Sequence, residues 1–231
     1  PEPVVWAVQA TLRRLPEPAS SVARAVSVFD THGTVELTAE LAGVDADAAR
    51  DAISELQVAG LVEGATELSF AQPLIGQAIR ASIPPAERAS LHGKAAELLA
   101  ERGDPAAVAA HLLLSPTGGR PWAVQALARA ADQARRGASP DRAVELLERA
   151  LEEPPTPEQR PRLLADLARA QAAIGDPACV DTFSAAVADT EQYDDRAGLL
   201  LGLSRAYQDQ ARFAEAAEPA ALGLRLDFAE D

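Results

Sequence analysis

Apolar residues recur three and four positions apart over most of this chain, and the breaks in that rhythm fall at Gly and Pro. The spacing predicts a short helix from Val4 to Leu15 that stops before Pro16. A second helix is expected over Ser20–Phe29, with Ser20 or Ser21 as its N-cap. Asp30-Thr31-His32-Gly33 reads as a turn, and Val35–Ala42 as a short helix ended by Gly43. Asp45 is placed to cap a helix over Ala46–Ala59 that Gly60 closes. The helical rhythm then lapses. Leu61-Val62-Glu63 and Glu67-Leu68-Ser69-Phe70 are strand candidates, and Gly64-Ala65-Thr66 between them suits a hairpin loop. A further helix over 71–82 ends at the Pro84-Pro85 pair.

Three helices followed by a two-stranded hairpin make a winged-helix-like module, expected over residues 1–83. Such modules commonly read DNA through the helix before the hairpin. Here that helix carries Arg50 against Asp47, Asp51 and Glu55, with Asp45 at its cap. Phosphate contacts supply much of DNA affinity, and an acidic helix repels them. A packing role inside a larger protein is therefore expected, with no direct nucleic-acid binding.

The remainder, 84–231, is expected to be helical hairpins. Glu87–Arg102 carries Leu91, Ala95, Leu98 and Leu99 at helical spacing and ends at Gly103, and Pro105–Leu114 follows. From Pro121 a repeat emerges. Ala131 and Ala143 take the small-residue positions of a first and a second helix, with Leu147, Ala150 and Pro155 at the tetratricopeptide offsets and Gly137 in the turn between. The phase recurs at Ala168, Gly175 and Val180, and again at Ser204, Tyr207, Ala216, Ala220 and Gly223, in steps of 37 and then 36 residues. Small residues let paired helices approach closely, and no hairpin can bury its apolar face alone. An ordinary helical bundle is the competing architecture. In a stack of such hairpins the first helices line one face. Asp132, Arg169 and Arg205 take equivalent places on it with Gln125, Arg135 and Gln208 nearby, and these six are the candidate partner-binding residues. The competing reading is a solvated face.

Composition narrows the chemistry. The 231 residues carry a formal net charge of −14, which again disfavours nucleic acid and leaves room for a basic partner. The single cysteine, Cys179, permits no intrachain disulfide and reads as a small core residue on a helix. No apolar run approaches the roughly 20 residues of a membrane helix, and no signal peptide is visible, so a cytoplasmic location is expected. The chain opens on Pro1 and holds no Met, which suggests a piece of a longer protein. The only Gly-Lys pair, Gly93-Lys94, lies inside a helix, and no phosphate-cradling Gly-rich loop is present. His32, His92 and His111 share no metal-ligand spacing. The carboxylates are expected on exposed helix faces. No catalytic residue, metal site or bound cofactor is expected in this chain, and it is not read as an enzyme.

Three stretches carry a resemblance. They are Leu61-Val62 with Leu68 to Ile79 (through Gln72-Pro73-Leu74), Ile83 to His92 with Ala95 to Ala100, and Val108-Ala109-Ala110-His111-Leu112-Leu113. Together they resemble the large ATP-binding LuxR-type transcriptional regulators of actinobacteria. Ala143 to Leu151 is similar to the start of that family's helical repeats. The resemblance is densest from about 50 to 155. It implies an AAA-type signal-transduction ATPase domain before the winged helix, tetratricopeptide-like repeats that sense an inducer or protein partner, and a LuxR-type helix-turn-helix beyond them. ATP or ADP would belong to the full-length protein. Relatives usually carry His before the Pro-Leu pair, where it touches nucleotide phosphate. This chain has Gln72, which can donate a hydrogen bond but cannot be cationic.

The expected fold is thus mainly α, a winged-helix-like module followed by tetratricopeptide-like hairpins. The expected function is the regulatory middle of an ATP-dependent regulator. A stand-alone tetratricopeptide-type interaction scaffold is the alternative.

Overall fold

A computed structural model of the chain describes residues 2–29, 33–102, 104–190 and 193–227. The expected turn at 30–32 and the helix stop at Gly103 lie outside the described residues. Thirteen helices and two short strands fall among the described residues, 75% of which are helical. The chain divides into two compact units, Pro1–Pro116 and Thr117–Asp231.

In the first unit the elements run α1 (Glu2–Leu12), α2 (Glu17–Phe29), α3 (Val35–Ala42), α4 (Ala46–Val58), β1 (Val62–Glu63), β2 (Ser69–Phe70), α5 (Pro73–Ser82), α6 (Pro85–Ala100) and α7 (Pro105–Leu113). The first two helices begin earlier than the apolar spacing predicts, and α1 also ends earlier. In α2 the reason is local: Glu17 suits the positive end of a helix and Pro18 suits its first turn. The ends of α3 and α4 follow sequence chemistry. The Thr34 hydroxyl accepts from Leu37 N–H at 3.3 Å, and Asp45 Oδ1 accepts from Asp47 and Ala48 N–H at 3.0 and 2.9 Å. Gly43 and Gly60 then end these helices in the left-handed region.

Helix α2 is the spine of this unit. It packs against α3, α4, α5 and α6. Val22, Val26, Ile53, Leu56, Leu68 and Ile79 belong to one buried cluster. Truncating Leu56 or Ile79 to Ala would cost about 3 kcal/mol. The strands pair antiparallel, Val62 with Phe70 and Glu63 with Ser69. Gly64 at their turn has φ +99°, and a Cβ there would lie 1.9 Å from Glu67 O, so no other residue fits. A third strand contact, Thr34 with Glu67, was not foreseen. Thr34 can make it because an N-cap residue is extended, at φ −81° and ψ 164°.

The expected boundary at 83/84 falls inside this unit. The two prolines do stop the preceding helix, but α6 turns back to pack on α2 and α3. Arg24 on α2 meets Glu87 on α6 at 2.9 Å, and Arg88 donates to Arg80 O at 3.1 Å.

The described residues of the second unit form six helices: α8 (Pro121–Arg136), α9 (Pro140–Glu152), α10 (Arg160–Ala173), α11 (Cys179–Asp189), α12 (Tyr193–Asp209) and α13 (Phe213–Asp227). Each packs on the next in sequence. The small residues of the sequence repeat are buried: Ala131, Ala168 and Ser204 in the first helices, Ala143, Val180 and Ala216 in the second. Ser204 Oγ donates to Ala216 O at 2.9 Å, so the helices meet at backbone distance.

The turns repeat more closely than the side chains do. In each hairpin the first helix ends with one residue in the left-handed region: Ala138 (φ 55°), Gly175 (φ 71°) and Ala211 (φ 58°). Its N–H reaches back to Arg135, Ala172 or Gln208 O, at 3.1, 3.1 and 2.9 Å. The next N–H, of Ser139, Asp176 or Arg212, reaches Ala134, Gln171 or Tyr207 O, at 2.9 Å in all three. Gly137 is one residue short of the left-handed position and has φ −81°. The backbone thus keeps the repeat where the sequence supplies Gly once and Ala twice.

One carboxylate departs from the expectation of a solvated face. Glu153, just past α9, is fully buried. It accepts from Gly118 and Gly119 N–H at 3.1 and 2.8 Å and pairs with buried Arg149 at 2.8 Å. It is tolerated because its charge is matched and its oxygens are bonded. It pins the loop before α8 to the end of α9.

Two stability outcomes follow. A non-Gly residue in the left-handed region costs about 1–2 kcal/mol, so Ala138→Gly and Ala211→Gly should each stabilise by about 0.5–1 kcal/mol after the entropy of Gly is set against it. Gly175→Ala should destabilise by about 1 kcal/mol, since only its φ opposes a Cβ. Urea unfolding measures all three, and unchanged midpoints would refute the argument. Glu153→Ala should cost about 3 kcal/mol by breaking the buried pair with Arg149 and leaving two backbone donors unmet, read from the same transitions.

Candidate functional site

Helices α8 and α10 are the first helices of adjacent hairpins, and a groove of about 400 Å³ lies between them. Its apolar lining is Val124, Ala128 and Leu163, and its polar lining includes Gln125, Arg129, Asp132, Arg135, Arg162 and Asp166. Side chains three and four apart share a helix face, which is why 125, 128, 129, 132 and 135 all reach it.

An ion-pair lattice runs along one side. Arg135 meets Asp166 across the two helices at 3.0 Å and Asp132 on its own helix at 3.6 Å. Arg136 pairs with Asp132, and Arg169 with Asp166 at 3.3 Å. Each carboxylate therefore serves two guanidiniums. These pairs are part-exposed and worth roughly 0.2–1 kcal/mol each. Their chief effect is to fix where the charges stand. Arg129 and Arg162 are exposed and, among the described residues, make no ion pair.

The six candidates from the sequence are divided by this geometry. Gln125, Asp132 and Arg135 line the groove. Arg169 joins the lattice through Asp166, and with Arg135 it lines a second hollow beside Ala138 and Pro140. Arg205 and Gln208 lie on α12 outside both hollows; Arg205 pairs with Asp209 at 3.3 Å, and Gln208 Nε2 donates to Ser204 Oγ at 3.5 Å. Arg129, Arg162 and Asp166 also line the groove and are not among the six. Arg129 and Asp166 are repeat equivalents, so extending the alignment along the helix face would have found both.

Gln72 stands alone on the first unit's surface. It is the extended residue before α5, at φ −141° and ψ 137°, as a residue preceding proline must be. It is exposed and makes no capping hydrogen bond.

His32 lies outside the described residues. His92 on α6 and His111 on α7 meet, with Nδ1 atoms 2.8 Å apart in a buried site and Phe29 edge-on to His111. One ring must donate and the other accept, so the contact requires a neutral partner. The signal was present: the two residues lie almost symmetrically about the turn between α6 and α7, where antiparallel helices oppose them. Burial, with Arg80 and Arg88 close by, pushes His92 below the ordinary imidazole value. Among the described residues no three His, Cys, Asp or Glu side chains group as metal donors. Cys179 is buried beside Val180 and Phe183, and burial followed by Asp176 pushes its thiol up, away from the reactive thiolate. Among the described residues no helix is long and apolar enough to cross a membrane.

No family model matches this chain, and no curated protein matches it.

The histidine pair sets a pH dependence. A folded-state imidazole with a lowered pKa binds fewer protons than the unfolded chain, so its contribution is complete above about pH 6.5 and is lost as pH falls below it. The melting temperature should hold from pH 8 to 6.5 and decline toward pH 5, and His92→Gln should reduce that slope. An NMR titration of His92 with its midpoint at or above the ordinary value would contradict this.

Proposed function

We propose that this chain is the regulatory middle of an ATP-dependent LuxR-type transcriptional regulator. In this reading α2–α4 with the β1–β2 hairpin form a winged helix, and α8–α13 form three tetratricopeptide-like hairpins. The hairpins hold an inducer or a protein partner. The winged helix belongs against an ATPase domain of the same full-length chain. DNA is read by a helix-turn-helix elsewhere in that protein.

The observation that carries the reading is the charge of α4. In a DNA-reading winged helix this element presents cations to phosphate. Here Arg50 is its one cation, and Asp47 holds it at 2.7 Å, with Asp51 exposed on the next position. Such a face suits a packing element of a switch. Gln72 fits a subsidiary place beside a nucleotide: its exposed amide can donate one hydrogen bond to a phosphate oxygen, which is too little to hold ATP or ADP alone.

The ion-pair lattice is equally compatible with a second reading, a tetratricopeptide-type scaffold that binds a partner with no ATPase attached. A charged groove serves either protein equally. The sequence encoded on either side of this segment separates them. The first reading requires a phosphate-cradling loop upstream and a helix-turn-helix downstream in one reading frame, and an open reading frame lacking either would overturn it.

On either reading the isolated 231-residue chain should neither retard duplex DNA in a gel at physiological salt nor release phosphate from ATP above the buffer rate. Activity in either assay counts against both.

A further inference from the structure

The groove between α8 and α10 has more cation than its own carboxylates can neutralise. Five guanidiniums stand in or beside it, those of Arg129, Arg135, Arg136, Arg162 and Arg169, against two carboxylates, Asp132 and Asp166. The surplus is specific to two positions. Arg129 has Asp132 one turn on, and Arg162 has Asp166 one turn on, at spacings that normally give helix pairs. Neither pair forms, because both carboxylates are already held by other arginines. Glu158, one turn before Arg162, is not paired with it either; its carboxyl is held low by the Thr156 hydroxyl and by backbone N–H. Two unmatched cations flanking one groove in a chain of net charge −14 are conspicuous, because acidic residues are abundant and one substitution would neutralise either.

Between them the lining is apolar. Val124 and Leu163 are buried and Ala128 is half-buried, and the small Ala128 side chain leaves the depth that a larger residue would fill. A volume of about 400 Å³ is within the range of small-molecule sites.

We propose that this groove binds a small organic anion, a carboxylate or its equivalent on an apolar body, with Arg129 and Arg162 holding the anion and Val124, Ala128 and Leu163 the body. Asp132 and Asp166 do not bind the ligand. They hold Arg135 in place and repel ligands carrying a positive charge. The inference deepens the sensor reading by giving the inducer's chemical class, but it stands on the groove's own charges. Binding to the isolated chain tests it, whereas the genomic context tests the sensor reading, so either can fail alone.

The probe is 1-pyrenebutyrate, with neutral 1-pyrenebutanol as its uncharged counterpart, titrated into the whole chain and followed by pyrene fluorescence. The carboxylate should bind at least about tenfold more tightly than the alcohol, the size of one charge-assisted hydrogen bond, and added salt should narrow the gap. The double variant Arg129→Gln/Arg162→Gln should erase the difference. Arg14→Gln/Arg225→Gln, which changes net charge equally at exposed sites, should retain it. Circular-dichroism melts establish that each variant is folded, and if the double variant is not, Ala128→Leu, which fills the groove without changing charge, should weaken both probes. Equal affinity for the two probes overturns the proposal, as does a folded double variant that keeps the preference. Tighter binding of a labelled hexaglutamate peptide, lost in the same double variant, also overturns it by assigning the surface to an acidic segment of protein.

Discussion

A helical hairpin must stop its first helix cleanly before the second can fold back, and the second unit rests on that constraint. Three times the chain uses the same device: one residue in the left-handed region, with the two following bonds returned to the last turn. The orphan carbonyls of the helix end are thereby satisfied without water. This aims α9, α11 and α13 back along α8, α10 and α12, which brings the buried small residues together and permits the Ser204 to Ala216 contact. Two of the three stops use Ala at a place that favours Gly. The packing therefore holds the turns in a conformation their sequence resists, and the turn geometry follows from the stack as much as it directs it.

Charge is handled differently in different parts of the molecule. On α4 an acidic surface is left open with its one arginine tied down. At Glu153 a carboxylate is drawn wholly inside, because two glycine N–H groups and Arg149 meet its oxygens. Between α8 and α10 the balance reverses and arginine exceeds carboxylate. Fields of this kind fall off over roughly 8 Å at physiological salt. The net charge of the whole chain therefore says little about what such a groove attracts.

How much of this the sequence disclosed depended on whether the cause was local. Most helix positions, the cap at Asp45, the stops at Gly43 and Gly60 and the tight turn at Gly64 follow from residues within a turn of each other and were legible, whereas Ser20 and Ser21, the expected cap of α2, lie inside that helix. The mainly helical, repeat-like architecture was legible for the same reason. The division after Pro116 was not, because the contacts that draw α6 onto α2 and α3 join residues far apart in sequence, as Arg24 with Glu87. Left-handed Ala138 and Ala211 were hidden by their own identity, since alanine gives no signal of that backbone. At the groove, the repeat alignment found Asp132, Arg135 and Gln125. It passed over Arg129 and Arg162, whose interest lies in what their neighbours are already bonded to, a property no single position displays.

The groove's location bears on what binding there can accomplish. Arg129 belongs to α8 and Arg162 to α10, so one anion touching both bridges two adjacent hairpins. A ligand held by one helix would have the same affinity for every arrangement of the stack and would shift none. A bridging ligand has its best affinity only where the two arginines stand at the right separation, and it draws the population toward that separation. The Arg135–Asp166 pair already spans the same two helices. It is part-exposed, and at less than about 1 kcal/mol it sets a default spacing without locking it. A weak fixed tie beside a stronger conditional one is the arrangement a sensor requires, because the free stack must remain able to move.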